Sequence, residues 1–449
     1  MGFLDIILFI VYVALFYIFF RWRRKRIQNP LLQRYHYWAF WAKIFATFAI
    51  TIFNFYISPG DSTILFYTEG VNIYKLILKD AMHFKWLWLP GQDFDLTYVY
   101  NYGNVGYFPN PANYFIIKTV AIFSFFGFGR YSVIQLFFSM IAFSGIWKLF
   151  YFFYELYPTL HKRLAVAILF FPTVLFWSSG ILKDPICMGM LGWLTWSIYQ
   201  GIHKKKNPVR NLIIAGISGY ILGIVKPYIL FAYLPFYILF IILTNIHLIK
   251  NTVLKGVAFV FIIAFSIGGF LLISDRLEEE MGFFAIEKLA ESVKAQQRGF
   301  INMSDIAESS FSLGVEYDGS AGSLVRIAPA AINATLFRPY IWESKKVSTL
   351  LSSLESLMLM FFTLYVFYRA GPIRFFRLII QKPMILFCFT YSIMFSLFIG
   401  ATTLNFGTLV RYKIPAIPFY LIALILILHF STSKKIRPAG KGGPSVVSE

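Results

Sequence analysis

Apolar residues fill this chain in long continuous runs, each interrupted by a short polar or basic stretch. The runs occupy residues 3–20, 37–57, 131–154, 163–180, 186–202, 211–225, 228–246, 254–274, 348–368, 380–400 and 413–431. Most approach or reach the ~17–25 residues that a helix needs to cross a hydrocarbon core. A membrane barrel would instead alternate apolar and polar positions over segments of about ten residues. The pattern predicts an all-α polytopic membrane protein with about eleven transmembrane helices.

Other stretches read differently. Residues 113–126 are apolar but short, and they end in Gly127-Phe128-Gly129-Arg130. An interfacial or re-entrant helix is expected there. Within the first long polar segment, 58–112, one helical face carries Ile73, Leu76, Ile77, Ala81, Phe84 and Trp88. Asn72, Lys75, Lys79 and His83 take the other face, the pattern of a helix lying in the interface plane. The second long polar segment, 275–347, opens with Phe283, Ile286, Ala290 and Val293 opposite Glu287, Glu291, Lys294 and Arg298. Its residues 302–325 read as loop, and Phe337–Glu343 reads as an aromatic anchor.

Charge then orders these elements. The chain has 449 residues, of which 58% are hydrophobic and 14% charged, well below the ~25% usual in soluble domains. Its formal net charge of +20 sits between apolar runs, which argues for membrane topology and against nucleic acid. Segments 21–36, 155–163, 203–210, 247–255, 369–383 and 432–449 hold more than half of the 41 Lys and Arg, marking the cytoplasmic side. Segments 58–112, 181–185 and 275–347 hold most of the 21 acidic residues. This assignment places the N-terminus outside and the C-terminus in the cytoplasm. Counting 113–126 as a span would move His203-Lys204-Lys205-Lys206 outside, against the charge rule.

The expected layout is an N-terminal anchor with a basic segment (1–36) and a transmembrane core (37–274). An outer cap (275–347), further spans (348–431) and a disordered basic tail (432–449) follow. No small-residue cleavage site follows the first run, so it reads as an anchor and not a removed signal. Cys187 and Cys388 lie in apolar runs, and neither a disulfide framework nor a zinc spacing is present.

The candidate chemistry centres on Phe171–Pro185. Two apolar runs meet there at Ser178-Ser179-Gly180, and Lys183 and Asp184 follow as an opposed pair. Ionisable groups this close to hydrocarbon are costly and mark functional sites, although a self-neutralising turn at the headgroups has the same pattern. By the predicted topology the other polar residues on this outer face are Asp61, Glu69, Asp93, Asp95, Lys226, Arg338, Arg411 and Tyr412. Cations would hold a phosphate by charge-assisted hydrogen bonds, with Arg able to grip it bidentately. A carboxylate would act as base on an acceptor hydroxyl. Plainer roles compete: Asp61 as a helix cap, Asp93 and Asp95 as turn residues, and Lys226 as a headgroup-seeking side chain. Alternating Asp93 and Asp95 hint at a divalent metal, but hard cations need more oxygen ligands, so a metal stays a minority reading and no other cofactor is expected. The scattered histidines suggest no triad.

Gly60-Asp61 followed by Tyr67 resembles the first outer loop of the GT-C superfamily of membrane glycosyltransferases. So do Pro109–Tyr114 with Phe126-Gly127 and Arg130, and Pro172, Ser178-Ser179 and Asp184. Gly223–Pro227 and Arg411-Tyr412-Lys413-Ile414-Pro415-Ala416-Ile417-Pro418 extend the likeness. It covers roughly residues 37–430 and is nearest the protein O-mannosyltransferase and lipid A aminoarabinose transferase branch. The resemblance implies transfer of a sugar from a polyprenyl-phosphate donor to a glycan, lipid or protein acceptor. It also implies a bacterial plasma membrane setting and the extracytoplasmic face. Asp61 would take the base role, Asp184 a second acidic position, and Lys183, Lys226 and Arg411 the donor phosphate. Arg338, Tyr412, Asp93 and Asp95 remain further candidates for the substrate site. The family often shows an acidic pair in the first loop, whereas Asp61 stands alone before Ser62; the base stays open among Asp61, Asp93 and Asp95. A polysaccharide polymerase or ligase, a lipid-linked glycan flippase or exporter, and a non-catalytic envelope subunit are the competing readings. A carrier would show paired halves and broken helices, and no internal repeat is visible.

Overall fold

The computed structural model describes residues 2–57, 60–89, 110–245, 311, 313, 321–344, 347–403 and 405–432, without every side chain among them. Seven helices in it are long and apolar enough to cross a membrane: Phe3–Lys25, Pro30–Ile57, Tyr131–Leu156, Pro208–Val225, Pro227–Thr244, Thr349–Ala370 and Pro383–Thr402. An eighth is counted if the bent pair Phe406–Tyr412 and Ile417–Thr432 is one span. Together they make a multi-pass, all-α membrane protein. The expected span at 254–274, the 283–298 helix and the tail from 433 on lie outside the described residues.

The helices are α1 (Phe3–Lys25), α2 (Pro30–Ile52), α3 (Thr68–Lys79), α4 (Pro111–Gly127), α5 (Tyr131–Leu156), α6 (His161–Ile168), α7 (Pro172–Trp177), α8 (Lys183–Ile198), α9 (Pro208–Val225), α10 (Pro227–Asn245), α11 (Ala321–Phe337), α12 (Val347–Ala370), α13 (Pro372–Gln381), α14 (Pro383–Thr402), α15 (Phe406–Tyr412) and α16 (Ile417–Thr432). Prolines open α2, α4, α7, α9, α10, α13 and α14, where a missing N–H costs nothing and the fixed φ suits a helix start. Asn29 and Asn110 cap α2 and α4 through their side chains.

Cross-contacts give the helix directions. α1 runs with α5, through Asp5–Arg130 at 3.1 Å and the Tyr12–Phe137 and Phe20–Phe143 rings. α2 runs against α5, pairing Asn29 with Tyr154, Thr47 with Ser139 and Asn54 with Tyr131. Since Asn54 meets Tyr131, the chain leaves α2 and enters α5 at the same end, and α4 between them adds no net crossing. The α4–α5 turn passes through left-handed Phe128 and Gly129 at φ +66°. α3 packs Gly70 against Ile117 and Val120 of α4, burying Ile73 and Ile77 as the amphipathic pattern predicts. That helix stops at Asp80, whose side chain caps a following 3-10 turn.

α5 and α8 are parallel. Ser144 accepts from Trp193 Nε1–H at 3.0 Å, and Tyr151 and Phe152 meet Trp196 and Tyr199 edge to face. Gly145, Gly189 and Gly192 let the two backbones touch. Residues 157–182 therefore carry the chain back along the bundle, but not as the continuous helix expected over 163–180. It is broken into α6 and α7 at Leu169–Phe171, because Pro172 cannot continue the hydrogen-bond ladder and pushes Phe171 into an extended conformation. The expected 413–431 helix starts late, at Ile417. Residues 413–416 form a turn containing Pro415, and α15 and α16 differ in direction by 62°.

Within the 275–347 segment a helix begins at Ala321, inside the stretch expected to be loop. α11 buries Ile327 and Ala331, lays Ala331 on Gly400 of α14, and bonds Thr335 to the Ser396 carbonyl at 2.8 Å. At the other end the described basic stretches come together. Lys204 pairs with Glu155 at 2.9 Å, a contact that raises its ammonium pKa, and Arg374 and Lys382 both reach Phe430.

The glycine contact yields a test. A Cβ at Gly145 would lie 1.9 Å from the Gly189 carbonyl oxygen, so Gly145→Ala should destabilise by about 1–3 kcal/mol. Gly216→Ala, with open space around its Cβ, should be neutral or slightly stabilising. Thermal unfolding of the purified protein in detergent distinguishes them.

Candidate functional site

Lys183 and Asp184 open α8 because Leu182 is extended and Pro185 suits the first turn. A carboxylate there also complements the partial positive charge of the helix N-terminus. Lys226 stands between α9 and α10, where Pro227 forces a break. Arg411 lies in the last turn of α15. These three elements bring together residues spread over more than half of the chain.

The Lys226 ammonium is 2.5 Å from Asp184 Oδ1, and Arg411 Nε is 3.4 Å from Oδ2. The Tyr412 ring lies beside both cations, 4.2 Å from Lys226 Nζ and 5.1 Å from Arg411 Cζ. Asp184 is 2% exposed and Lys226 3%, so they are engaged with each other and closed to a ligand. Arg411 and Lys183 are half-buried. Lys183 interacts electrostatically with Lys226, Arg411 and Asp184 yet forms no hydrogen bond or ion pair of its own among the described residues. It is the cation left to meet an anion.

Two charged residues that the sequence analysis did not single out hold this arrangement in place. Lys43 of α2 donates to the Ser178 carbonyl and hydroxyl, both at 2.6 Å, at the C-terminus of α7. Glu355 of α12 accepts from the Thr173 backbone N–H at 2.9 Å and from its hydroxyl, at the N-terminus of α7. A third, Lys413, donates to Ser356 Oγ at 2.9 Å and interacts electrostatically with Glu355. The signal for Lys43 and Glu355 was a lone charge inside an apolar run.

Other predicted residues fall elsewhere. Arg338 forks onto Glu343, with Nε 3.0 Å and 3.1 Å from its two oxygens, and faces the Phe311 and Phe406 rings. Its backbone carbonyl, not its guanidinium, joins the Lys413 group. Asp61 begins a π-helical turn, Asp61–Tyr67, but its side chain lies outside the described residues, as do Asp93 and Asp95. The neighbouring Ser62 bonds to Tyr131 at 2.8 Å, which fixes this turn at the N-terminal end of α5. Among the described residues no three His, Cys, Asp or Glu side chains gather to hold a metal ion.

The architecture and its buried charges define a multi-pass integral membrane protein. No family model matches the chain, and no curated protein or solved structure is similar to it.

The ion group predicts a non-additive pattern. Lys226→Met removes the nearest partner of a buried carboxylate and should cost about 3–5 kcal/mol. Adding Asp184→Asn should recover part of that loss, because no buried carboxylate is then left without its nearest partner, while Arg411 loses its contact with Oδ2. A double-mutant cycle on thermal or denaturant unfolding measures the coupling.

Proposed function

We propose that this protein is an envelope glycosyltransferase of the GT-C type, taking a sugar from a polyprenyl-phosphate donor at the extracytoplasmic face of a bacterial plasma membrane. The observation that carries this reading is Lys183: a half-buried cation without a carboxylate of its own, set beside the Asp184–Lys226–Arg411 group at one end of the bundle. A lipid phosphate arriving from the bilayer would meet Lys183 and Arg411, the two reachable cations. Lys226 would act from behind, holding Asp184 so that Asp184 orients Arg411. Asp184 then serves as an organiser of cations and not as an acid. The base role falls to an outer-loop carboxylate, Asp61 first, with Asp93 and Asp95 as the alternatives. The full reading has eleven spans, an external N-terminus and a cytoplasmic C-terminus.

A second reading, a carrier of lipid-linked glycans, draws support from the breaks at Leu169–Phe171 and at residues 413–416. Discontinuous helices whose ends face a charged site are a feature of transporters.

Radiolabelled sugar transfer in proteoliposomes tests both. Wild type should transfer sugar from a polyprenyl-phosphate donor. Lys183→Ala should raise the KM for the donor roughly 10- to 100-fold through loss of a charge-assisted bond. Asp61→Asn should lower kcat while donor binding persists. Movement of the lipid between leaflets without any transfer would replace the enzyme reading by the carrier.

A further inference from the structure

At the end of the bundle opposite Asp184, a cavity of about 500 Å³ lies between the start of α6 and the last turn of α16. One wall carries Thr159, His161, Lys162 and Arg163, and the other His429 and Thr432. No acidic side chain lines it among the described residues. Lys162 and Arg163 are exposed and the two histidines half-buried. His161 is held by its Nδ1, 2.7 Å from the Tyr35 hydroxyl. These groups offer N–H and O–H donors and positive charge, the set that recognises a phosphate ester.

α13 docks beside the cavity, against the chain neighbour of one of its lining residues. Arg374 of that helix donates to the Phe430 carbonyl at 2.9 Å, and Lys382 sits 4.8 Å from the Phe430 ring. Phe430 is the chain neighbour of His429. α13 buries Phe375, Leu378 and Ile379 against the bundle, yet leaves Ile373, Phe376 and Ile380 exposed at 76%, 56% and 74%. Arg374 and Arg377 alternate with these residues. An amphipathic helix with uncovered apolar side chains and arginines between them belongs in the headgroup layer of a bilayer. The cavity shares that layer.

We propose that this cavity binds the phosphate headgroup of an anionic phospholipid. Basic pockets between transmembrane helices at the cytoplasmic surface take such headgroups, and the acyl chains would run along the exposed face of α13. The proposal is independent of any transfer reaction at Asp184.

The full-length protein in neutral detergent is unfolded thermally with added dioleoyl phosphatidylglycerol, dioleoyl phosphatidylcholine or inorganic phosphate. Phosphatidylglycerol should raise the midpoint, and the other two should not. The double variant Lys162→Ala/Arg163→Ala should need roughly 10- to 30-fold more phosphatidylglycerol for the same rise. Lys205→Ala/Lys206→Ala, at a separate basic loop of the same end, should behave as wild type. His429→Gln, which leaves both surface cations in place, should also weaken the response and serves if the double variant fails to fold. An equal loss in the Lys205/Lys206 variant would mean a diffuse surface-charge effect and overturn the site. Inorganic phosphate as effective as the lipid would assign the cavity to a soluble phosphate instead, and phosphatidylcholine as effective as phosphatidylglycerol would remove the anionic headgroup from the argument.

Discussion

A helix of six residues has almost no stability of its own, because nucleation costs more than one turn of hydrogen bonds returns. It also leaves most of its backbone N–H and C=O groups without intrahelical partners, and in a membrane interior those groups must find protein partners. α7 meets this constraint with two ionisable side chains from helices remote in sequence. Glu355 sits at its N-terminus and Lys43 at its C-terminus, the arrangement that complements the partial charges of the helix ends. Each of these buried charges is in turn satisfied by backbone and hydroxyl groups, so neither is left as an isolated ion in hydrocarbon. The broken return segment is thereby held between α2 and α12.

The position of α7 decides where α8 begins, and α8 carries Lys183 and Asp184. From that start Asp184 reaches Lys226 and Arg411, which themselves sit at helix breaks created by Pro227 and by the turn before α16. The charges lie where helices end because a backbone break already exposes polar groups there, and a cation or carboxylate can serve both tasks. The glycine contact between α5 and α8 fixes the depth of the same end relative to Tyr131 and the Asp61–Tyr67 turn. The two ends of the bundle consequently differ in chemistry. One concentrates paired and half-buried charges, and the other gathers basic side chains such as Lys162, Arg163, Lys204 and Arg374.

The membrane character, most helix positions and the grouping of the basic loops were legible in the sequence. Each follows from a local cost: apolar runs must leave water, prolines must start helices, and cations prefer one side. The interest of Lys183, Asp184, Lys226 and Arg411 was legible for the same reason, since ionisable groups near hydrocarbon are expensive wherever they occur. Lys43 and Glu355 carried that signal too, each alone in an apolar run, but a lone charge does not announce its partner. Only the tertiary structure decided that these two act on α7, that Arg338 turns to Glu343, that the expected 163–180 span is broken, and that the last one starts late. Partnership between residues more than a hundred positions apart depends on helix direction and depth. Those are settled by packing, as in the touching backbones at Gly145 and Gly189, and not by any property of the residues taken singly.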